Sequence, residues 1–171
     1  VNPELTKVAG VVLADSGSPF RQSVLLNVGA RDGIKDGWAT MDGYGLVGRI
    51  TGVSNTTSRV ILVTDPGSRL PVTIEPSGQR AMLAGDNSIS PYLDFIEMPE
   101  LIRPGDRVVT SGDGGVFPAD VLVGHVALSR DGRLRAVLAA DLQRLDYLKV
   151  LRSPPAPVVE DTGQIVGPAR G

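Results

Sequence analysis

The chain has no cysteine, which excludes a disulfide framework and any thiolate metal centre. Aromatic residues make up only 4% of it, too few for base-stacking platforms or for a sugar cleft built on stacked rings. Basic charge is not in excess: Lys and Arg number 17 against 19 Asp and Glu, and the net charge is -2. No basic excess is available to neutralise a phosphate backbone, so no nucleic-acid partner is expected. No apolar run approaches the roughly 20 residues that span a bilayer, and there is no signal-peptide pattern. The chain starts at Val1 rather than Met and reads as an excised soluble fragment whose anchor lies elsewhere. No Gly-x-Gly-x-x-Gly opens a helix, and no Walker-type Gly-Lys-Ser/Thr occurs.

What the chain does have is 42% hydrophobic residues, 21 glycines and 13 prolines. The Gly and Pro are spread between short Val/Ile/Leu-rich runs, the pattern of many turns joining short strands. Strands are predicted over residues 7–14, 22–28, 38–41, 45–53, 58–64 and 69–74. Asp42-Gly43 supplies a hairpin signal between the third and fourth, and Pro71 suggests an edge or a strand start in the sixth. After a break at Glu75-Pro76-Ser77-Gly78, six further runs follow at 79–84, 92–98, 106–110, 121–128, 134–138 and 146–151, with a single helical turn expected at 139–145. The fold class is therefore all-β, with two small, mostly antiparallel, six-stranded β-barrels. The expected division is a first barrel over 1–75, a second over 76–152, and a disordered Pro/Gly-rich tail over 153–171. The halves are also self-similar. Gly45-Leu46-Val47-Gly48-Arg49 after one Gly-rich loop matches Leu122-Val123-Gly124-His125 after another, as two barrels with a similar corner would.

Reactive chemistry is sparse. The lone histidine, His125, sits inside an apolar strand. Ser111-Gly112-Asp113-Gly114-Gly115 has the residue types of a serine-protease motif in the wrong order, and His125 follows the serine instead of preceding it. Asp32 and Asp36-Gly37 lack the alternating ligands and distal Glu of a calcium loop. Asp106, Asp113 and Asp120 are scattered over loops, where turn formation is the plainer role. No catalytic, cofactor-binding or metal-binding residue is assigned, no cofactor is implied, and the chain is not expected to be an enzyme. Tyr44, Leu46, Phe117 and Val121 lie near loop tips; for each, core or corner packing outweighs partner contact.

Five segments, in order, resemble the MreC family of bacterial rod-shape-determining proteins. They are Asn27-Val28-Gly29-Ala30-Arg31-Asp32-Gly33-Ile34-Lys35-Asp36-Gly37, Gly45-Leu46-Val47-Gly48-Arg49-Ile50, Ser58-Arg59-Val60-Ile61-Leu62-Val63-Thr64-Asp65-Pro66, Arg69-Leu70-Pro71-Val72, and the run from Gly105-Asp106 through Thr110-Ser111-Gly112-Asp113-Gly114-Gly115-Val116-Phe117-Pro118. The resemblance implies two six-stranded barrels, the first chymotrypsin-like but without a catalytic triad. It implies a non-enzymatic scaffold of the cell-wall elongation complex that maintains rod shape. Such a scaffold self-associates as a homodimer or filament, binds an elongation-specific penicillin-binding protein, and works with MreB, MreD and RodA. It implies a periplasmic, extracytoplasmic location at the cytoplasmic membrane, anchored by a membrane helix and a coiled coil outside this chain. The competing expectations are a hydrolase of chymotrypsin-like barrel fold using Ser111 and His125, and a peptidoglycan-binding module. The partner interface is not assigned to residues.

Overall fold

The computed structural model describes residues 7–15, 22–113 and 117–152. The tail at 153–171 lies outside the described residues. Twelve strands follow in chain order: β1 (Lys7–Asp15), β2 (Ser23–Leu26), β3 (Ala39–Met41), β4 (Leu46–Val53), β5 (Ser58–Leu62), β6 (Arg69–Glu75), β7 (Gln79–Ala84), β8 (Tyr92–Asp94), β9 (Arg107–Thr110), β10 (Leu122–Leu128), β11 (Leu134–Leu138) and β12 (Tyr147–Leu151). Short 3-10 turns at Ala30–Asp32 and Pro99–Leu101 interrupt them. Alternation is clear where one face is buried. In β6, Leu70, Val72 and Ile74 point inward between partly exposed neighbours.

The strands close into two six-stranded antiparallel barrels, ordered β1-β12-β3-β4-β5-β2 and β10-β11-β8-β7-β6-β9. The expected class is therefore found, but the strand membership differs from the expected division at 75/76. β6, from the first half of the chain, pairs with β7 and β9 in the second barrel. β12, from the end of the second half, pairs with β1 and β3 in the first. The two halves β1–β6 and β7–β12 are thus repeats, and each gives its sixth strand to the other's barrel. Glu75-Pro76-Ser77-Gly78 looks like a linker because it separates the repeats. In space it is the β6–β7 hairpin turn, closed by the Gly78 N–H on the Ile74 carbonyl at 2.8 Å.

The repeat explains the duplicated glycines. Gly48 pairs with Leu62 and Thr40 around a register shift in β3/β4. Gly124 pairs with Leu138 and Val108 around the matching shift in β9/β10. A Cβ at Gly48 would collide with the Ile61 carbonyl, and one at Gly124 with the Val137 carbonyl. Each glycine therefore lets a neighbouring backbone come close at the same corner of its barrel.

Pro71 does not mark an edge, since β6 lies between two partners. Its carbonyl accepts the Ser111 N–H at 3.2 Å, so its missing N–H falls on the β9 side, one residue past the last pair, Val72–Thr110. Residues 139–145 form no helical turn. They cross between barrels as a tight turn, with Arg144 N–H on Asp141 O at 3.2 Å.

Two apolar cores fill the barrels and share the seam. One contains Leu70, Val72, Ile74, Leu83, Val108 and Val123 of the second barrel together with Ala39, Leu46 and Leu151 of the first. The other contains Leu26, Trp38, Ile50, Val60, Leu148 and Val150, and takes in Ala140 from the connection. Asp42 pins the same seam. Its Oδ1 accepts the N–H groups of Tyr44 and Gly45 at 2.7 and 2.9 Å, and its Oδ2 accepts that of Asp141 at 2.8 Å. The Asn87 N–H donates to Thr64 O at 2.8 Å on another crossing.

Candidate interaction surfaces

The ladder sets Ser111 and His125 apart. His125 lies opposite Arg107 in the β9/β10 pairing. Ser111 follows four residues later along the same direction, roughly 13 Å at about 3.3 Å per residue. Its Oγ accepts the Asp113 N–H at 3.1 Å within a local turn. A serine hydrolase needs the two side chains within hydrogen-bond reach, so this geometry removes the basis of the hydrolase reading.

Three of the carboxylates weighed from sequence are tied into turns and surface pairs. Asp32 accepts the Gly29 N–H at 2.9 Å, Asp106 accepts that of Arg103 at 2.9 Å, and Asp113 pairs with Arg80 at 3.2 Å. Among the described residues no group of three or more His, Asp or Glu could hold a metal.

Of the four loop-tip hydrophobics, Leu46 and Phe117 are buried, Val121 packs against the core of the second barrel, and Tyr44 is exposed. The larger exposed apolar groups lie elsewhere, and sequence reasoning missed them. On the first barrel Val11 faces its cross-strand partner Tyr147, with Leu13 beside them on β1. On the second barrel Phe95, Met98 and Leu101 stand out from the β8–β9 loop, Phe95 at 84% exposure. The expected strand at 92–98 hid this loop, because β8 ends at Asp94. The signal that could have found it was Met98-Pro99, where a proline stops pairing.

A charged aromatic stack closes the second barrel. β8 and β11 share a single register pair, Arg135–Tyr92. Around it the guanidinium carbons of Arg133 and Arg135 stand 3.5 and 3.7 Å from the Tyr92 ring centroid. Arg133 pairs with Asp94 at 2.6 Å and Arg135 with Asp86 at 3.0 Å. Burial pushes the Asp86 carboxyl up, but hydrogen bonds from the Ser88 hydroxyl and amide, with Arg135, outweigh it and hold the group below the ordinary aspartate value. These side chains are engaged with one another and secure a short seam.

Comparison with known proteins places this architecture. A family model described as "Rod shape-determining protein MreC, barrel core" matches residues 12–152. The chain belongs to the MreC family. The cell shape-determining protein MreC of Cereibacter sphaeroides is 70% identical over 166 residues, covering 97% of this chain and 55% of that protein. The chain spans about half the length of the curated MreC relatives it matches. Among solved structures, MreC from Pseudomonas aeruginosa superposes with a TM-score of 0.78 at 29% identity, covering 85% of this chain and 98% of that one. A Helicobacter pylori structure described as a complex between penicillin-binding protein (PBP2) and MreC has a TM-score of 0.66 at 21% identity, covering 88% of this chain and 100% of the other. MreC proteins are cell shape-determining proteins, and this chain carries their barrel core.

Proposed function

We propose that this chain is the part of a non-enzymatic scaffold that stands on the periplasmic face of the cytoplasmic membrane and organises cell-wall elongation. It holds together an elongation-specific penicillin-binding protein and components of the MreB, MreD and RodA type, and it associates with further copies of itself. The observation that carries the reading is a barrel core of the MreC family whose exposed features are apolar loops and strand faces. The separation of Ser111 from His125 adds to it. Closed barrels have no free strand edges, so they offer side-chain surfaces instead of edges for assembly. The H. pylori complex is support by analogy for the penicillin-binding partner.

The test is a pull-down from membranes, with light scattering in parallel. The expected result is co-purification of an elongation transpeptidase and a concentration-dependent rise in mass when the chain is joined to its membrane-proximal segments. Strictly monomeric behaviour together with no captured transpeptidase refutes the scaffold.

A further inference from the structure

Phe95 stands at φ 63°, a left-handed conformation in which a bulky side chain is strained. Its ring is almost fully exposed, so no packing within the chain compensates for this. The loop around it is nonetheless fixed. Ile96 packs against the core and Ile102 is buried in it. The Met98 N–H donates to Gln79 Oε1 at 3.0 Å. The 3-10 turn at Pro99–Leu101 is closed by Leu101 N–H on Met98 O at 3.1 Å and Ile102 N–H on Pro99 O at 3.0 Å. Phe95, Met98 and Leu101 are thereby presented on a preformed ridge, with Glu97 and Glu100 exposed between them. Among the described residues neither glutamate is in an ion pair. The ridge is bonded to Gln79 at the start of β7, whereas the seam between the barrels meets the second barrel at Gly85, past the other end of that strand, and at Leu122 and Ala139.

We propose that residues 95–101 form a docking ridge for a different protein, one whose surface offers an apolar groove rimmed by Arg or Lys. Charge decides the kind of occupant. A two-fold contact with the same ridge on a second copy would bring four unpaired carboxylates together, whereas a basic rim pairs with them. An aromatic anchor held in a fixed geometry loses little freedom on binding and matches the residue type that dominates interface energies. This inference rests on the scaffold reading above, in which the occupant is the penicillin-binding protein.

The test uses the whole 171-residue chain and, as probe, the soluble part of the elongation-specific penicillin-binding protein from the same cell, with affinity measured by calorimetry. Phe95→Gly removes the ring and relieves the positive φ. It should bind at least about tenfold more weakly while its unfolding temperature stays the same or rises. Glu97→Lys with Glu100→Lys should also weaken binding about tenfold and lessen its dependence on salt. Phe95→Gly binding as well as the parent overturns the ridge alone. A parent chain that does not bind the probe overturns the partner reading itself, and the ridge's occupant with it. Loss of self-association in sedimentation, with probe binding intact, makes the occupant a second copy and overturns the proposal.

Discussion

The exchanged strands make Trp38 a reporter for a residue more than a hundred positions away. Trp38 is the single tryptophan and is buried in the first barrel's core, where Leu148 of β12 also packs. Leu148, Val150 and Leu151 are each at most 1% exposed. At about 2 kcal/mol for each fully buried side chain, β12 contributes about 6 kcal/mol of apolar burial, comparable with the 5–15 kcal/mol total stability of ordinary domains. Ending the chain at Asp146 also uncovers the ladder edges of β1 and β3. Trp38 emission should then shift to the red, to that of a solvated indole, and a fragment of residues 1–75 should behave alike. Adding residues 76–171 should restore the blue-shifted emission by returning β12. Within the intact chain, Leu148→Ala should cost about 3 kcal/mol. With a urea slope of about 2 kcal/mol per molar, the Trp38-detected midpoint falls by about 1.5 M. A truncated chain whose Trp38 stays buried, with an unchanged urea midpoint, refutes the exchange.

Three further perturbations test the rest of the structure. Gly48→Ala and Gly124→Ala each drive a Cβ into a neighbouring carbonyl, and both should lower the thermal midpoint by amounts similar to each other, because the sites are equivalent; calorimetry on the pair checks this. Asp42→Ala leaves three N–H groups at the seam, those of Tyr44, Gly45 and Asp141, without their acceptor and should cost about 3 kcal/mol in urea denaturation, at roughly 1 kcal/mol for each bond. Asp86 has a folded-state pKa below its ordinary value of 3.8, so the stability it contributes is complete above that value and is lost as pH falls below it. Asp86→Asn should therefore flatten the acid limb of the stability profile below about pH 4, and an unchanged acid limb counts against the lowering of the Asp86 carboxyl by the Ser88 hydroxyl and amide together with Arg135.

Much of the fold was legible because it is written locally. Alternation in 69–75 and the apolar runs at 122–128 and 134–138 mark strands whatever they pair with. The Gly48 and Gly124 runs marked the repeat because the same corner needs the same missing Cβ in both barrels. Which barrel a strand joins was not legible. β6 and β12 carry ordinary inward-outward patterns, and nothing in Leu148 or Val150 distinguishes a home barrel from the opposite one. The exposed apolar loop at 95–101 was hidden for a related reason. Phe95 continues the composition of a strand, and only its backbone conformation and the proline at 99 turn it outward. Ser111 could be set aside on motif order, but its distance from His125 became definite only through the Arg107 pairing.

The exchange has a consequence for how the two barrels carry load. Each barrel is closed by a strand whose covalent continuation lies in the other, so neither can open alone without exposing the partner strands of both. Tension along the chain between β5 and β6, or between β11 and β12, acts on ladders shared by the two barrels and on one continuous core that includes Leu46, Leu151 and Leu70. Local contacts alone would predict two transitions for two small barrels. The shared strands and core predict one, with the Trp38 signal of the first barrel and a backbone signal of the second falling together. Asp42 and the Thr64–Asn87 bond then reinforce a junction the topology has already made cooperative. The 95–101 loop of the second barrel therefore stands on a body whose stability is set by both barrels together.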